Sequence, residues 1–128
     1  MKIFAIAIGG ISGALLRYWV SGIFSHLISE DFPWGTLSVN LIGSFLIGLL
    51  WAIFSKRLYL TPELRALIFI GFLGSFTTFS SYALESLNLF RNNEIKAAVL
   101  NILYNNIFGL FAVILGTASA YYLIKLLK

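Results

Sequence analysis

The chain has 128 residues, of which 59% are hydrophobic and 11% are charged, and its mean hydropathy is +0.92. A soluble globular domain does not carry this much apolar surface, so the composition indicates an integral membrane protein. Cysteine is absent, which excludes disulfides, thiolate metal sites and cysteine nucleophiles. The net charge of +4 comes from basic residues at the ends of apolar segments, a pattern that indicates membrane topology and not nucleic-acid binding.

Four apolar segments follow one another along the chain, and each is close to the length that a membrane-spanning helix needs. They cover approximately residues 3–24, 36–54, 64–87 and 97–124. The connections are short, which predicts antiparallel neighbouring helices in a single all-α transmembrane domain over residues 1–128. Thr61 followed by Pro62 predicts an N-cap and the start of the third helix. Gly9 and Gly13 have the G-x-x-x-G spacing that favours close helix packing.

The basic residues are distributed unevenly between the two ends of the predicted helices. With four spans, both termini and the second connection lie on one side of the membrane. That side carries Lys2, Lys56, Arg57, Arg65, Lys125 and Lys128, and the other side carries Arg91 and Lys96. Because basic residues accumulate on the cytoplasmic side, we expect a multi-pass protein of the cell inner (plasma) membrane with cytoplasmic termini.

The middle of the third segment is unusually polar for a membrane interior. Gly74 is followed by hydroxyl residues that include Thr77, Thr78, Ser80 and Ser81. Every backbone N–H and C=O group needs a partner in hydrocarbon, so this composition predicts a helix that is broken at the midplane and lines something polar. The alternative is that these residues only allow two helices to cross closely.

A break at this position would offer two kinds of ion-binding group. Hydroxyl groups, amide N–H groups and the edges of aromatic rings attract a small anion, which makes Asn40, Phe79 and the neighbouring serines candidate ligands. Backbone carbonyls released from a broken helix instead suit a hard cation such as Na⁺. The residues alone leave both uses open.

Polar and small residues also recur along one face of the second and fourth segments. The faces consist of Asn40, Ser44 and Gly48 in the second segment and of Asn101, Asn105, Gly109 and Gly116 in the fourth. Spacings of about four residues place side chains on the same side of a helix, so both faces are predicted to point into the helix bundle. Such asparagines either join helices or line an ion pathway, and the sequence favours neither interpretation.

Two charged residues lie inside the predicted spans. Arg17 is the only charge well inside the first segment, where it either anchors the helix near the interface or attracts anions to a vestibule. Glu85 lies near the end of the third segment, and we expect it to pair with a basic group, because no second buried carboxylate accompanies it in a proton relay. No hydroxyl residue is accompanied by a base and an orienting acid, so the sequence carries no enzyme signature.

Three ordered motifs resemble those of the Fluc/CrcB family of small fluoride ion channels. The motifs are Gly9-Gly10-x-x-Gly13-Ala14-x-x-Arg17-Tyr18, Gly35-Thr36-Leu37-x-Val39-Asn40-x-x-Gly43 and Gly71-x-x-Gly74-x-x-Thr77-Thr78-Phe79-Ser80, the last followed by Glu85. The similarity extends over almost the whole chain. The resemblance implies a dual-topology dimer of two antiparallel subunits, with a broken third helix, two narrow fluoride pores and a structural Na⁺ at the centre.

The resemblance also assigns roles to individual residues. The fluoride-pore positions correspond here to Asn40, Phe79, Ser80, Ser81, Tyr82, Asn101 and Asn105. Tyr82 stands where the family has its second pore phenylalanine, so this ring carries an additional hydroxyl group. Arg17 resembles the family's first-helix arginine, and Glu85 is the second vestibule or structural residue. The backbone carbonyls of Gly74 and Thr77 are implied to hold the Na⁺.

The function implied by the resemblance is passive export of cytoplasmic fluoride through a membrane-embedded homodimer. The uneven basic charge favours one orientation of the chain, so a heterodimer with an oppositely oriented paralogue is the alternative. A second class, the small multidrug transporters, also has four short helices and dual topology, but exchanges protons for drugs through a carboxylate in the first helix. This chain has Arg17 and no acid there. A third alternative is a non-transporting accessory subunit.

Overall fold

The computed structural model describes residues 1–28, 31–56 and 59–126, and its regular structure there is helical. Four stretches are long and apolar enough to cross a membrane. The first span is α1 (Lys2–Ile28), the second is α2 (Trp34–Lys56), the third covers Pro62–Arg91 and the fourth covers Ile95–Leu126. The prediction of an all-α, multi-pass membrane protein with four spans is confirmed. Arg57 and Lys128, which entered the charge count, lie outside the described residues.

The third span is not one continuous helix. It consists of α3 (Pro62–Arg65), a π-helical segment (Ala66–Leu73), α4 (Gly74–Phe76) and α5 (Phe79–Arg91). Between α4 and α5, the backbone is extended at Thr77 (φ −85°, ψ 159°) and at Thr78 (φ −149°, ψ 116°). The break predicted in the middle of the third span is therefore confirmed at these two residues.

Threonine side chains cap the first and the last helical segments of the third span, α3 and α5. Thr61 Oγ1 accepts a hydrogen bond from the Leu64 N–H at 3.2 Å, with Pro62 in the first turn, as the sequence predicts. Thr78 Oγ1 accepts a hydrogen bond from the Ser81 N–H at 3.2 Å. Each cap pairs an N–H group that a helix start leaves free, and at the break this removes a cost that hydrocarbon surroundings would impose.

The first span packs against the N-terminal half of the third span at two glycines. A Cβ atom at Gly13 would overlap the carbonyl group of Phe72, and one at Gly9 would overlap the carbonyl oxygen of Leu67. The two backbones therefore approach each other as closely as the G-x-x-x-G spacing predicts. In contrast, a Cβ atom at Gly22 of the same helix would have no other atom within 4 Å.

The fourth span also contains an irregular helical turn. It consists of α6 (Ile95–Leu103), a π-helical segment (Tyr104–Phe108) and α7 (Gly109–Leu126). A π-helix closes its hydrogen bonds over five residues instead of four, so the turn accommodates an additional residue. This segment falls in the middle of the asparagine-rich part of the span.

The second span packs mainly against α7. A Cβ atom at Gly48 would overlap the Val113 carbonyl, and one at Gly116 would overlap the Phe45 carbonyl. The small residues of both spans therefore face each other, as their spacing predicts.

The buried core is small and distributed along the helix bundle, whereas large apolar side chains cover the outside. Buried residues of the core include Leu37, Val39, Leu73, Phe76, Ala98 and Ala120. Exposed residues include Ile8, Ile70, Leu110 and Ile114. This distribution is the inverse of a soluble domain and fits a protein that is surrounded by lipid.

Candidate functional site

The Asn40 side chain holds the break in the third span open. Its Oδ1 accepts a hydrogen bond from the Thr78 N–H at 2.8 Å, and its Nδ2 donates to the Thr78 carbonyl at 3.0 Å. Both backbone polar groups of this extended residue are thus paired with one side chain of the second span. Non-helical backbone requires such partners inside a membrane, so Asn40 replaces the helical acceptor that the Thr78 N–H lacks and adds a donor to the Thr78 carbonyl, which also caps the start of α5.

The same contacts change the surroundings of two backbone carbonyls at the break. In a continuous helix the Thr78 N–H would donate to the Gly74 carbonyl, but here it donates to Asn40. The Thr77 carbonyl accepts a hydrogen bond from Arg17 Nη1 at 3.4 Å. The structure thus places both carbonyls predicted to hold a cation at the break, with Gly74 exposed on the protomer surface.

Asn40 also begins a series of hydrogen bonds that leads into the fourth span. Its Nδ2 donates to Asn105 Oδ1 at 2.9 Å, and Asn105 Nδ2 donates to Asn101 Oδ1 at 2.9 Å. Asn101 is fully buried and donates to Ser86 Oγ at 3.0 Å. The three predicted asparagines are therefore brought together, and within one protomer they join the second, third and fourth spans.

An open groove of about 320 Å³ lies beside the break. Its lining includes the predicted residues Asn40, Gly74, Thr77, Phe79, Tyr82 and Asn105, together with Ser44, Thr78 and Asn106. The Phe79 ring is 76% exposed and meets the Tyr82 ring edge-on, with 5.3 Å between the ring centroids. Ring edges carry partial positive charge and hydroxyl groups donate hydrogen bonds, so the groove can solvate a small anion without an ionised side chain.

A second hollow, of about 360 Å³, contains the two charged residues predicted for the site. Arg17 and Glu85 line it together with Thr36, Thr78 and Ser81. Because Thr78 lines both the groove and this hollow, the break lies between them. The predicted site residues are therefore divided into two neighbouring groups and do not form one cavity within the protomer.

The predicted pairing of Glu85 with a basic group is wrong for the described part of the chain. Glu85 Oε1 accepts a hydrogen bond from Thr36 Oγ1 at 2.6 Å, and Oε2 is buried without a hydrogen-bond partner. The physical reason is that the Thr36 hydroxyl occupies one carboxylate oxygen and no described cation forms an ion pair with the other. Arg17, the nearest candidate in the same hollow, donates to the Thr77 carbonyl instead.

The two serines after the break are placed differently from the rings. Ser81 Oγ accepts a hydrogen bond from Thr78 Oγ1 at 3.0 Å and lines the second hollow. Ser80 is exposed, and its Oγ lies 3.4 Å from Thr78 Oγ1. Neither serine lines the groove that contains Phe79 and Tyr82.

Two side chains of the site were not predicted from the sequence. Asn106 Nδ2 donates to the Tyr82 hydroxyl at 3.1 Å, and Ser86 Oγ donates to the Tyr82 carbonyl at 2.8 Å. A period of 3.6 residues assigns only one of two adjacent asparagines to the inner face, and the π-helical turn brings in both. The available signal was the polar run Tyr104-Asn105-Asn106 inside an apolar segment.

Comparison with known proteins agrees with these motifs. A family model described as "CrcB-like protein, Camphor Resistance (CrcB)" matches residues 4–117. A fluoride-specific ion channel FluC of Parabacteroides distasonis is 44% identical over 128 residues, which is all of this chain and 99% of the relative. The FluC of Maridesulfovibrio salexigens is 47% identical over 115 residues, 90% of each chain.

A longer relative matches in the same way. The FluC of Methylococcus capsulatus is 44% identical over 120 residues, which is 94% of this chain, although the match spans only 53% of that relative. The family match contains all but the first two residues of the first span, the whole of the second and third spans and most of the fourth, and therefore every residue placed around the break. This protein is a member of the CrcB family.

Proposed function

We propose that this protein is a fluoride-selective ion channel through which fluoride leaves the cytoplasm passively across the cell inner membrane. The main structural support for this proposal is the groove beside the helix break, which is lined by aromatic rings and hydroxyl groups. Relatives that match nearly the full length of this chain are named fluoride-specific ion channels. Transport through a channel requires no chemical step, so the function is not enzymatic.

Selectivity follows from the kind of groups that replace the hydration shell. Fluoride is the smallest halide and the strongest hydrogen-bond acceptor among them, so hydroxyl donors and ring edges compensate its loss of water best. The same groups carry no full charge, which lets the ion leave again. Arg17, beside the second hollow, raises the local concentration of anions. The fluoride gradient supplies the driving force.

The functional unit of the proposal is an antiparallel dimer with two pores. In one protomer the groove is open and the Phe79 ring is 76% exposed, so the protomer alone does not enclose a path. A Cβ atom at Gly74 would meet only the Phe69 carbonyl oxygen, at 3.6 Å. Nothing in the protomer requires glycine there, whereas close approach of a second copy would. An oppositely oriented paralogue is the alternative partner, because the basic charge is distributed unevenly.

A structural Na⁺ fits the backbone oxygens at the break. The Gly74 and Thr77 carbonyls are neutral oxygen ligands of the kind that hard cations bind. The Gly74 carbonyl has lost its helical donor, and the Thr77 carbonyl would bind the ion in addition to its hydrogen bond from Arg17. Within the residues that the structure describes, no group of three or more acidic, histidine or cysteine side chains offers another site. When bound, the ion would neutralise the partial negative charge where the breaks of two subunits meet.

Replacing Gly74 by alanine is expected to leave the protomer folded and to weaken the dimer at least about tenfold, which corresponds to roughly 1.4 kcal/mol. The added methyl group is tolerated inside the protomer but obstructs a second copy at the same surface. Dimer dissociation is measured in detergent or lipid by single-molecule photobleaching or ultracentrifugation. The melting temperature of the protein is expected to differ less between sodium chloride and potassium chloride in this variant than in wild type. Gly22→Ala is the control, and equal dimerisation of the two variants would contradict the prediction.

The function is tested with purified protein in liposomes loaded with fluoride or with chloride. We expect fluoride efflux far above that of protein-free liposomes and chloride efflux indistinguishable from them. Proton-coupled exchange of a cationic drug would support the multidrug-transporter alternative. If folded, dimeric protein shows no ion flux, the channel function would be refuted, and the alternative of a non-transporting accessory subunit would remain.

A further inference from the structure

The amide donors that line the groove are already occupied by protein acceptors. Asn40 Nδ2 donates to the Thr78 carbonyl at 3.0 Å and to Asn105 Oδ1 at 2.9 Å. Asn105 Nδ2 donates to the backbone carbonyl of Asn101 at 3.0 Å and to its Oδ1 at 2.9 Å. A primary amide has two N–H groups, so neither side chain retains one for an ion while these contacts persist.

The Tyr82 hydroxyl is in a different position. Its oxygen accepts a hydrogen bond from Asn106 Nδ2 at 3.1 Å. The other N–H of Asn106 donates to the Ile102 carbonyl at 2.8 Å, which fixes the orientation of the amide. Within the described residues, the hydroxyl proton of Tyr82 makes no hydrogen bond to a protein acceptor. A phenol that accepts one hydrogen bond is a better donor through its own proton, because hydrogen bonds in series strengthen one another.

The π-helical turn Tyr104–Phe108 makes this arrangement possible. It directs two consecutive asparagines towards the groove, where Asn105 bonds Asn40 of the second span and Asn106 bonds Tyr82 of the third. One asparagine therefore joins two walls of the groove, and the next bonds the hydroxyl group of Tyr82, a residue that lines the groove.

We propose that Asn106 is a positioning residue that holds the Tyr82 phenol as a hydrogen-bond donor for a small dehydrated anion in the groove. The proposal rests on the proposed channel function and adds a selectivity element to it. Fluoride is the strongest hydrogen-bond acceptor among the halides, so such a donor stabilises bound fluoride more than bound chloride. Asn106 acts only through Tyr82, so its removal has no effect on transport once the hydroxyl group is absent.

A double-mutant cycle tests this dependence by fluoride efflux from liposomes. Tyr82→Phe and Asn106→Leu are each expected to lower the fluoride efflux rate about threefold to tenfold, the worth of one hydrogen bond. The double variant is expected to match Tyr82→Phe alone within a factor of about two. The hydroxyl group of Ser44 also lines the groove and makes no hydrogen bond among the described residues. It provides the control background: in Ser44→Ala, Asn106→Leu is expected to retain its full effect.

Each outcome is decisive when folding is checked by elution as a dimer. Equal effects of Asn106→Leu in the presence and absence of the Tyr82 hydroxyl would overturn the proposal, because they would indicate a general packing role. Wild-type efflux in both single variants would overturn it as well, without affecting the channel function. Wild-type protein without fluoride efflux would refute the function and this inference together. If Asn106→Leu does not fold, Asn106→Ala replaces it in the same cycle.

Discussion

Replacing Asn40 by alanine is expected to lower fluoride efflux roughly 100-fold and the free energy of unfolding by about 2–4 kcal/mol. The substitution leaves the Thr78 N–H and the Asn105 Oδ1 atom without partners, and it removes one donor from the Thr78 carbonyl, which as the N-cap carbonyl of α5 still accepts the first hydrogen bond of that helix. Thr78 is buried and its N–H has no helical acceptor at the break, so the break is expected to change its conformation or to close. Efflux from liposomes and denaturant titration in detergent measure the two effects.

Two further variants separate the contacts of Asn40. Asn40→Asp retains an acceptor for the Thr78 N–H, but its ionised carboxylate would oppose the Thr78 carbonyl and Asn105 Oδ1, which are acceptors as well, so its stability is expected to be no higher than that of Asn40→Ala. Asn88→Ala removes an exposed asparagine at the end of the third span and serves as the control. Unchanged stability of Asn40→Ala would show that the break does not depend on this side chain.

Replacing Gly13 by alanine is expected to have the largest effect on folding, a loss of at least about 3 kcal/mol. The methyl group would overlap the Phe72 carbonyl, and rigid backbone cannot move aside as a flexible side chain would. The first and third spans would have to separate, which disturbs the helix that leads into the break. The yield of protein that elutes as a single species, together with unfolding in denaturant, checks this expectation.

Gly22→Ala is the matched control for this variant, because it makes the same chemical change in the same helix without any atom nearby. We expect it to fold like wild type or slightly better, since alanine is the stronger helix former. Similar losses in both variants would mean that the cost arises from the helix itself and not from its contact with the third span.

The four spans and the break could be predicted because their signals are local. Apolar length indicates a span, and a cluster of glycine and hydroxyl residues within one indicates a helix that cannot continue. The bounds were less accurate: the third span covers Pro62–Arg91 and not 64–87, because the polar last turns of α5 continue beyond the apolar run.

The contacts of the site could not be predicted, because they connect distant parts of the chain. Asn40 and Thr78 are 38 residues apart, and nothing in the sequence specifies that this asparagine would bind backbone instead of a side chain. The partner of Glu85 was mistaken for the same reason, since Thr36 lies 49 residues before it. The assignment of Phe79, Ser80 and Ser81 to a fluoride path stays a prediction.

The π-helical turn at Tyr104–Phe108 also has a consequence for how homologous sequences can differ in length. It holds one residue more than an ordinary α-helix would need for the same rise. Deletion of a single codon there would let the fourth span rewind into α-helical form while the Gly48–Val113 and Gly116–Phe45 contacts stayed in register. A one-residue length difference between homologues would thus change the chemistry of the ion path and leave the membrane bundle as it is.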